Sequence, residues 1–154
     1  MSSFAQPGKY LTFLIGKEEY GIPILKAKEI IKMMDITNIP KTPQFMRGVI
    51  NLRGKIIPII DLRLKFRLEA REYTERTCII VVELLLSQTK KQMGIVVDTV
   101  SEVVNFPKNE LEPPPQYGTQ LETGYLTGMG KIKDKVVLLL DIEKAFNDED
   151  LVIK

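Results

Sequence analysis

The side chains best suited to catalysis in this sequence are two aspartates that each end an apolar run. Asp61 follows Ile-Ile-Pro-Ile-Ile and Asp141 follows Val-Val-Leu-Leu-Leu, and a short segment ending in Phe comes after each. A carboxylate in this setting can act in proton transfer, or it can accept hydrogen bonds from the first N–H groups of a helix. Because the setting recurs and no acid–base partner adjoins either residue, we interpret both as helix caps.

The residue types that carry most proton transfer and metal binding are scarce. The chain has no histidine, and its one cysteine, Cys78, lies within an apolar run. These counts exclude a Cys/His nucleophile pair, an ordinary zinc site and an intramolecular disulfide. We therefore expect no cofactor and no metal, and we expect Cys78 to serve packing. A small enzyme that uses Asp61 and Arg53 remains the catalytic alternative, since they are the only visible polar pair.

The composition limits the classes of partner that can be expected. The 154 residues are 44% hydrophobic, which supports a folded core, and 22 basic residues against 20 acidic ones give a net charge of only +2. So small a charge gives little attraction to phosphate backbones, and nucleic acid is not an expected partner. The sequence shows neither a signal peptide nor the roughly 20 apolar residues that a spanning helix needs. We expect a cytoplasmic protein that does not insert into membranes directly.

Short β-branched runs separated by turn residues predict a mainly β fold. The predicted strands cover residues 10–15, 19–22, 29–34, 49–51, 55–60, 77–85, 92–98, 101–106 and 135–140. Pro23 suits the first turn of a helix of one or two turns. Residues 111–118 include three consecutive prolines, and we expect an extended connector there because proline cannot donate to a sheet.

An internal repeat organises these elements. A shift of 80 residues aligns Phe45 with Tyr125, Gly48 with Gly128, Lys55 with Lys135 and Asp61 with Asp141, and a shift of 73 aligns Gly21 with Gly94 and Glu29-Ile30-Ile31 with Glu102-Val103-Val104. Because both matches occur in the same order, they predict two homologous lobes at roughly 10–70 and 76–146, each a small curled sheet. The sequence leaves open whether the two lobes exchange strands at their ends. Each lobe is too small for a robust core, so the two should share an apolar interface.

Arg53 and Glu29 each allow two interpretations. Arg53 lies at a predicted hairpin tip beside Gly54 and is either a solvated turn residue or an exposed anchor for a partner. Glu29 recurs as Glu102, which favours a structural role, with partner binding as the second interpretation. A generic SH3-like module for proline-rich peptides is a further alternative. It needs an aromatic-lined groove, whereas this chain has no tryptophan and few aromatic residues.

The sequence resembles the CheW family over about residues 9–146. The resemblance rests on three blocks, Phe-Met-Arg-Gly-Val-Ile-Asn-Leu-Arg-Gly-Lys-Ile-Ile-Pro-Ile-Ile-Asp-Leu (45–62), Gly-Ile-Val-Val-Asp-Thr-Val-Ser-Glu-Val (94–103) and Tyr-Leu-Thr-Gly-Met-Gly (125–130). It implies a single CheW-like domain with two SH3-like five-stranded β-barrels around a shared apolar core, short helices, and flexible tails at 1–8 and 147–154. The segment 86–91 departs from the family pattern as a longer loop.

The resemblance also implies a function. Members couple the cytoplasmic tips of methyl-accepting chemoreceptors to the histidine kinase CheA in bacterial chemotaxis, as scaffolds without catalysis. The kinase's CheW-like regulatory domain binds barrel surfaces, and the receptor's helical hairpin binds a groove between the lobes. Carried over residue by residue, the partner-binding positions are Glu29, Arg53, Gly94, Val100 and Val103, with Ala27 and Ile24 as neighbours of Glu29. Partners would then recruit the protein to receptor arrays at the membrane.

Overall fold

The computed structural model describes residues 5–114 and 125–146, which fold mainly as β-strands. The strands are β1 (Gly8–Ile15), β2 (Glu18–Pro23), β3 (Ala27–Lys32), β4 (Met46–Leu52), β5 (Lys55–Asp61), β6 (Cys78–Leu86), β7 (Thr89–Val97), β8 (Thr99–Phe106), β9 (Leu111–Glu112), β10 (Leu126–Ile132) and β11 (Lys135–Leu140). Helices α1 (Leu62–Lys65) and α2 (Ile142–Ala145) follow β5 and β11, and single 3-10 turns cover Ile24–Lys26 and Lys108–Glu110. The predicted mainly β class with short helices is confirmed.

Strands from both ends of the chain share the first sheet. Its order is β8-β1-β2-β11-β10-β9, and the second sheet has the order β3-β6-β7-β5-β4. Neighbouring strands are antiparallel except for two parallel pairs, β2 with β11 and β5 with β7. The strand pairing therefore cuts across the continuous ranges 10–70 and 76–146, because β1 and β2 pair with strands from the second half of the chain.

Each sheet closes into a barrel. In the second sheet, Thr37 lies beyond the end of β3 and forms an antiparallel bridge with Val49 of β4, with N–H to O distances of 2.8 and 2.9 Å. In the first sheet, β8 and β9 are two parts of one strand that the 3-10 turn at Lys108–Glu110 interrupts. They pair with β1 and β10, which lie on opposite sides of the sheet order. The molecule thus consists of two five-stranded barrels, as predicted.

The internal repeat is visible in the hydrogen bonds. The β4–β5 and β10–β11 hairpins each carry a bulge beside their first glycine. In both, the N–H of the aspartate before the helix donates to an aromatic residue at the hairpin's start, Asp61 to Phe45 and Asp141 to Tyr125, at 2.8 Å. The same local sequence has therefore produced the same local geometry in both barrels.

The core has three layers. One fills the second barrel and contains Ile50, Ile57, Ile59, Ile79, Val81 and Val96. Another fills the first barrel and contains Tyr10, Phe106, Val137 and Leu139. The third lies between the barrels and takes residues from both sheets, among them Leu11, Phe13, Ile22, Ile80, Val82, Ile95 and Leu140. Alternate residues of β6 point into the barrel and toward the other barrel, as the two-residue period of a strand requires. The predicted shared core is confirmed.

Several segments differ from the sequence-based expectation. The strand β10 was not predicted, and Leu111–Glu112 forms a short strand where a connector was expected; residues 115–118 of that connector lie outside the described residues. The 86–91 segment is a tight turn on a long hairpin, since β6 reaches Leu86 and β7 begins at Thr89. Ala5 donates its N–H to Thr127 at 2.7 Å, so the tail predicted over 1–8 is held from Ala5 onward. The tail predicted over 147–154 lies outside the described residues, as do residues 1–4.

Candidate functional site

Two segments carry the chain from one barrel to the other, and five of the predicted site residues lie on them. The first crossover, residues 24–32, leads from β2 in the first sheet to β3 in the second. The second crossover, residues 98–106, leads from β7 in the second sheet to β8 in the first. The first carries Ile24, Ala27 and Glu29, and the second carries Val100 and Val103. The repeat relates the crossovers, so they occupy equivalent places in the two halves.

Glu29 and Arg53 form an ion pair, although 24 residues separate them in the chain. Arg53 occupies the β4–β5 turn with a positive φ of 52°, and its Nη2 donates to Oε1 of Glu29 on β3. The hydrogen bond and the carboxylate charge raise the pKa of the Arg53 guanidinium. The guanidinium side chain remains 68% exposed, so it can still donate to another molecule. Arg53 is therefore an exposed turn residue that pairs with Glu29, and its role as an anchor for a partner stays a prediction.

The apolar site residues lie at the border of the core between the barrels. Ile24, Ala27 and Val100 are partly buried and pack against that core. Val103 is exposed, and it pairs across the sheet with Leu11, which lies in the same core. These residues therefore extend the shared core to the molecular surface.

Ile30 belongs to this surface and was missed from the sequence. It is exposed and pairs with Ile80, a residue of the core between the barrels, just as Val103 pairs with Leu11. A signal was present, because the 73-residue shift aligns Ile30 with Val103. In β3, Ile30 also shares its alternation phase with the exposed Lys32, so it is an apolar side chain at an exposed position.

Gly94 does not reach the surface with the other predicted residues. It lies buried in β7, and a Cβ added there would be 2.6 Å from Cγ2 of Ile79 and 2.7 Å from Cδ1 of Ile59. Both isoleucines are fully buried inside the second barrel. Gly94 therefore allows close packing within the barrel, and any influence on a partner acts through the position of β7.

Cys78 lies next to the second crossover and has the packing role expected for it. Its thiol hydrogen-bonds to the backbone of Val100, and partial burial raises the pKa of the thiol. A raised pKa keeps the sulfur as the unreactive thiol at neutral pH.

The two aspartates are helix caps, as interpreted from the sequence. Asp61 accepts the N–H of Arg63 at 2.9 Å and the Tyr73 hydroxyl at 3.0 Å. Asp141 accepts the N–H of Glu143 at 3.0 Å. Asp61 is buried with these donors, whereas Arg53 is paired with Glu29, so the structure does not join Asp61 and Arg53 into an acid–base pair.

In residues 5–114 and 125–146, no group of three or more acidic, cysteine or histidine side chains is arranged to hold a metal ion. Within the same ranges, neither helix has the length and apolar character required to cross a membrane.

Comparison with known proteins identifies relatives over nearly the full chain. The profile of the CheW-like domain matches residues 9–150. The chemotaxis protein CheW of Klebsiella aerogenes is 43% identical over 145 residues, covering 94% of this chain and 85% of that protein. That of Helicobacter pylori is 36% identical over 142 residues, covering 92% and 82%. The crystal structure of the scaffolding protein TtCheW from Thermoanaerobacter tengcongensis superposes with a TM-score of 0.81 at 37% identity, covering 94% of this chain and 96% of that one.

Proposed function

The chain belongs to the CheW family of chemotaxis scaffold proteins, and from that premise we propose that it couples chemoreceptors to the histidine kinase CheA without catalysing a reaction. One side binds the cytoplasmic tip of a methyl-accepting receptor, and another binds the CheW-like regulatory domain of the kinase. The observation that carries the proposal is the exposed Arg53 guanidinium, which pairs with Glu29 of the first crossover, the segment whose Ile24 and Ala27 border the core between the barrels.

In this proposal the receptor surface consists of the apolar residues at the border of the core between the barrels, together with the Arg53 guanidinium. Ile30 and Val103 are exposed aliphatic side chains at equivalent places on the two crossovers, and Ala27 and Val100 are partly buried at the same border. An amphipathic helix binds by placing apolar side chains at helical spacing into such a surface. Arg53 then donates to a carboxylate or a carbonyl group of the bound hairpin and sets its orientation.

The kinase binds the outer faces of the barrels, so one molecule contacts both partners at once. Localisation follows from this arrangement. In this proposal, contacts with the receptor recruit the protein to membrane receptor arrays.

The experiment compares substitutions at the site with matched substitutions elsewhere. Arg53→Ala, Ile30→Glu and Val103→Glu should weaken sedimentation of the protein with a receptor signalling fragment and CheA. Their thermal unfolding should stay near wild type, because these side chains are solvent-exposed and contribute little to the core.

Lys133→Ala and Val136→Glu are the controls. Lys133 occupies the turn equivalent to that of Arg53, with a φ of 51° against 52°. Val136 is as exposed as Val103, at 51%, but lies on β11 outside both crossovers. Normal ternary assembly by both Arg53→Ala and Val103→Glu, or equal losses of binding to the receptor fragment alone in the controls, would contradict the proposed surface.

A further inference from the structure

Each short helix places one charged side chain on a crossover. Arg63 and Glu143 are the second residues of α1 and α2, and the 80-residue shift makes them equivalent. Arg63 forms an ion pair with Asp98 of the second crossover. Glu143 forms one with Lys26 of the first crossover, at 2.7 Å. The crossover residues lie one position apart in the 73-residue alignment, and the two contacts have opposite polarity.

In each ion pair, the carboxylate also accepts a hydrogen bond from a backbone N–H of a β-hairpin. Gly16 donates its N–H to Oδ2 of Asp98 at 2.8 Å, and Leu85 donates its N–H to Oε2 of Glu143 at 2.7 Å. Gly16 and Leu85 are also equivalent, because each lies four residues beyond the strand residue that pairs with Gly21 or Gly94. In both places a helix, a crossover and a hairpin therefore meet at one carboxylate. The carboxylate belongs to the crossover in one case and to the helix in the other.

The two helices pack against the core in the same way, and only the charges of their ion pairs distinguish them. Leu62 of α1 and Ile142 of α2 are both fully buried in the core between the barrels. If the helices exchanged places, Glu143 would face Asp98 and Arg63 would face Lys26. Both pairs would then repel, so the charges assign each helix to its own crossover.

We propose that Arg63–Asp98 and Lys26–Glu143 are positioning pairs, which hold the two crossovers in place and so shape the surface that binds the partners. This inference rests on the proposed function, because the crossovers carry Ala27, Glu29, Val100 and Val103. The pairs touch no partner themselves. They act by fixing the strands on which the contacting side chains stand.

The two pairs differ in burial, and this decides how to test them. The Arg63 and Asp98 side chains are 8% and 29% exposed, whereas those of Lys26 and Glu143 are 35% and 25% exposed. Charge reversal at the buried pair risks unfolding, because an unpaired buried charge is strongly destabilising. The more exposed pair Lys26–Glu143 is therefore chosen for charge reversal, and the milder change Asp98→Asn is used at the other pair.

The experiment measures hydrogen–deuterium exchange and receptor-fragment affinity on the full chain. Lys26→Glu and Glu143→Lys should each speed exchange in residues 27–32 and weaken binding by about twofold to fivefold, as expected for loss of a partly exposed pair. The double variant should recover both, because it places the carboxylate on the crossover, as at Asp98. Asp98→Asn should speed exchange in residues 99–106 and leave residues 27–32 unchanged.

Lys131→Glu is the control. Lys131 pairs with Glu112 at 3.1 Å on β10 and β9, away from both crossovers, and the variant should change neither readout. The inference is overturned if the single variants leave exchange in residues 27–32 at the wild-type rate, or if the double variant does not recover. If the wild-type protein binds neither receptor fragment nor CheA, the proposed function fails, and the exchange data still decide whether the pairs hold the crossovers.

Discussion

Substitution of Gly94 by alanine tests whether this residue serves the interior of the second barrel. The new Cβ would lie 2.6 Å from Ile79 and 2.7 Å from Ile59, well inside ordinary contact distance. Both neighbours are fully buried, so neither can move into solvent. Overpacking of this kind costs about 1–3 kcal/mol. Replacing glycine returns about 0.4–1 kcal/mol through the unfolded chain, and we expect a net loss of about 1–2 kcal/mol.

Gly21 is the matched control, because the repeat places it at the equivalent position of the first barrel. A Cβ there would lie 3.1 Å from Cδ2 of Leu139 and 3.4 Å from Cγ1 of Val137, distances that small side-chain shifts accommodate. Gly21→Ala should therefore change the unfolding free energy by less than about 1 kcal/mol, since the small strain and the gain from restricting the unfolded chain offset each other.

Urea denaturation followed by circular dichroism supplies the measurement. With a slope of about 1–3 kcal/mol per molar, Gly94→Ala should lower the midpoint by roughly 0.5–1 M at unchanged slope. Ile59→Val removes Cδ1, the atom of Ile59 that the new Cβ would clash with. The double variant Gly94→Ala/Ile59→Val should therefore cost less than the sum of the single changes. Equal costs at Gly94 and Gly21, or strict additivity of Gly94→Ala with Ile59→Val, would refute the packing explanation.

Two further predictions concern the closure of the second barrel at Gly48 and the stability of the protein at alkaline pH. Gly48→Ala should cost about 3 kcal/mol, because its Cβ would lie 2.0 Å from the Thr37 carbonyl oxygen at a φ of +137°, while Gly128→Ala, with its nearest backbone oxygen at 2.9 Å, should cost less in the same denaturation assay. Burial chiefly raises the pKa of Tyr20 and Tyr73 to about 12 from an ordinary value of 10.0. Since the folded state holds these protons more tightly, their contribution to stability is complete below pH 10 and disappears as the pH rises toward 12. Ultraviolet titration of the phenolates should show both groups ionising late, and Tyr73→Phe should remove one of the late steps; titration of both near their ordinary value would contradict the burial argument.

The elements of the fold could be predicted from the sequence because their causes are local. Alternating apolar residues and turn residues predicted most strands to within a few positions, and the aspartates before two short segments predicted the caps. The repeat predicted two similar units and already aligned Ile30 with Val103, although only the second of these was assigned to the site. The strand β10 was missed in spite of its alignment with β4.

The candidate site depended more on the tertiary structure. Glu29 and Arg53 were separate candidates in the sequence, and only the fold shows that they form an ion pair. Gly94 came with the same family motif as Val100, yet it faces the barrel interior. A motif identifies which residues matter, but the direction of each side chain depends on strand register and closure.

By itself, the sequence determined that the protein is a doubled β-rich scaffold without a histidine or an intramolecular disulfide. Only the tertiary structure decided which strands share a barrel, how the crossovers are held, and which predicted residues reach the surface. The physical reason is that equivalent strands in a repeat have nearly the same local pattern. The pairing of β2 with β11, strands that lie more than 100 residues apart, is then decided by long-range packing.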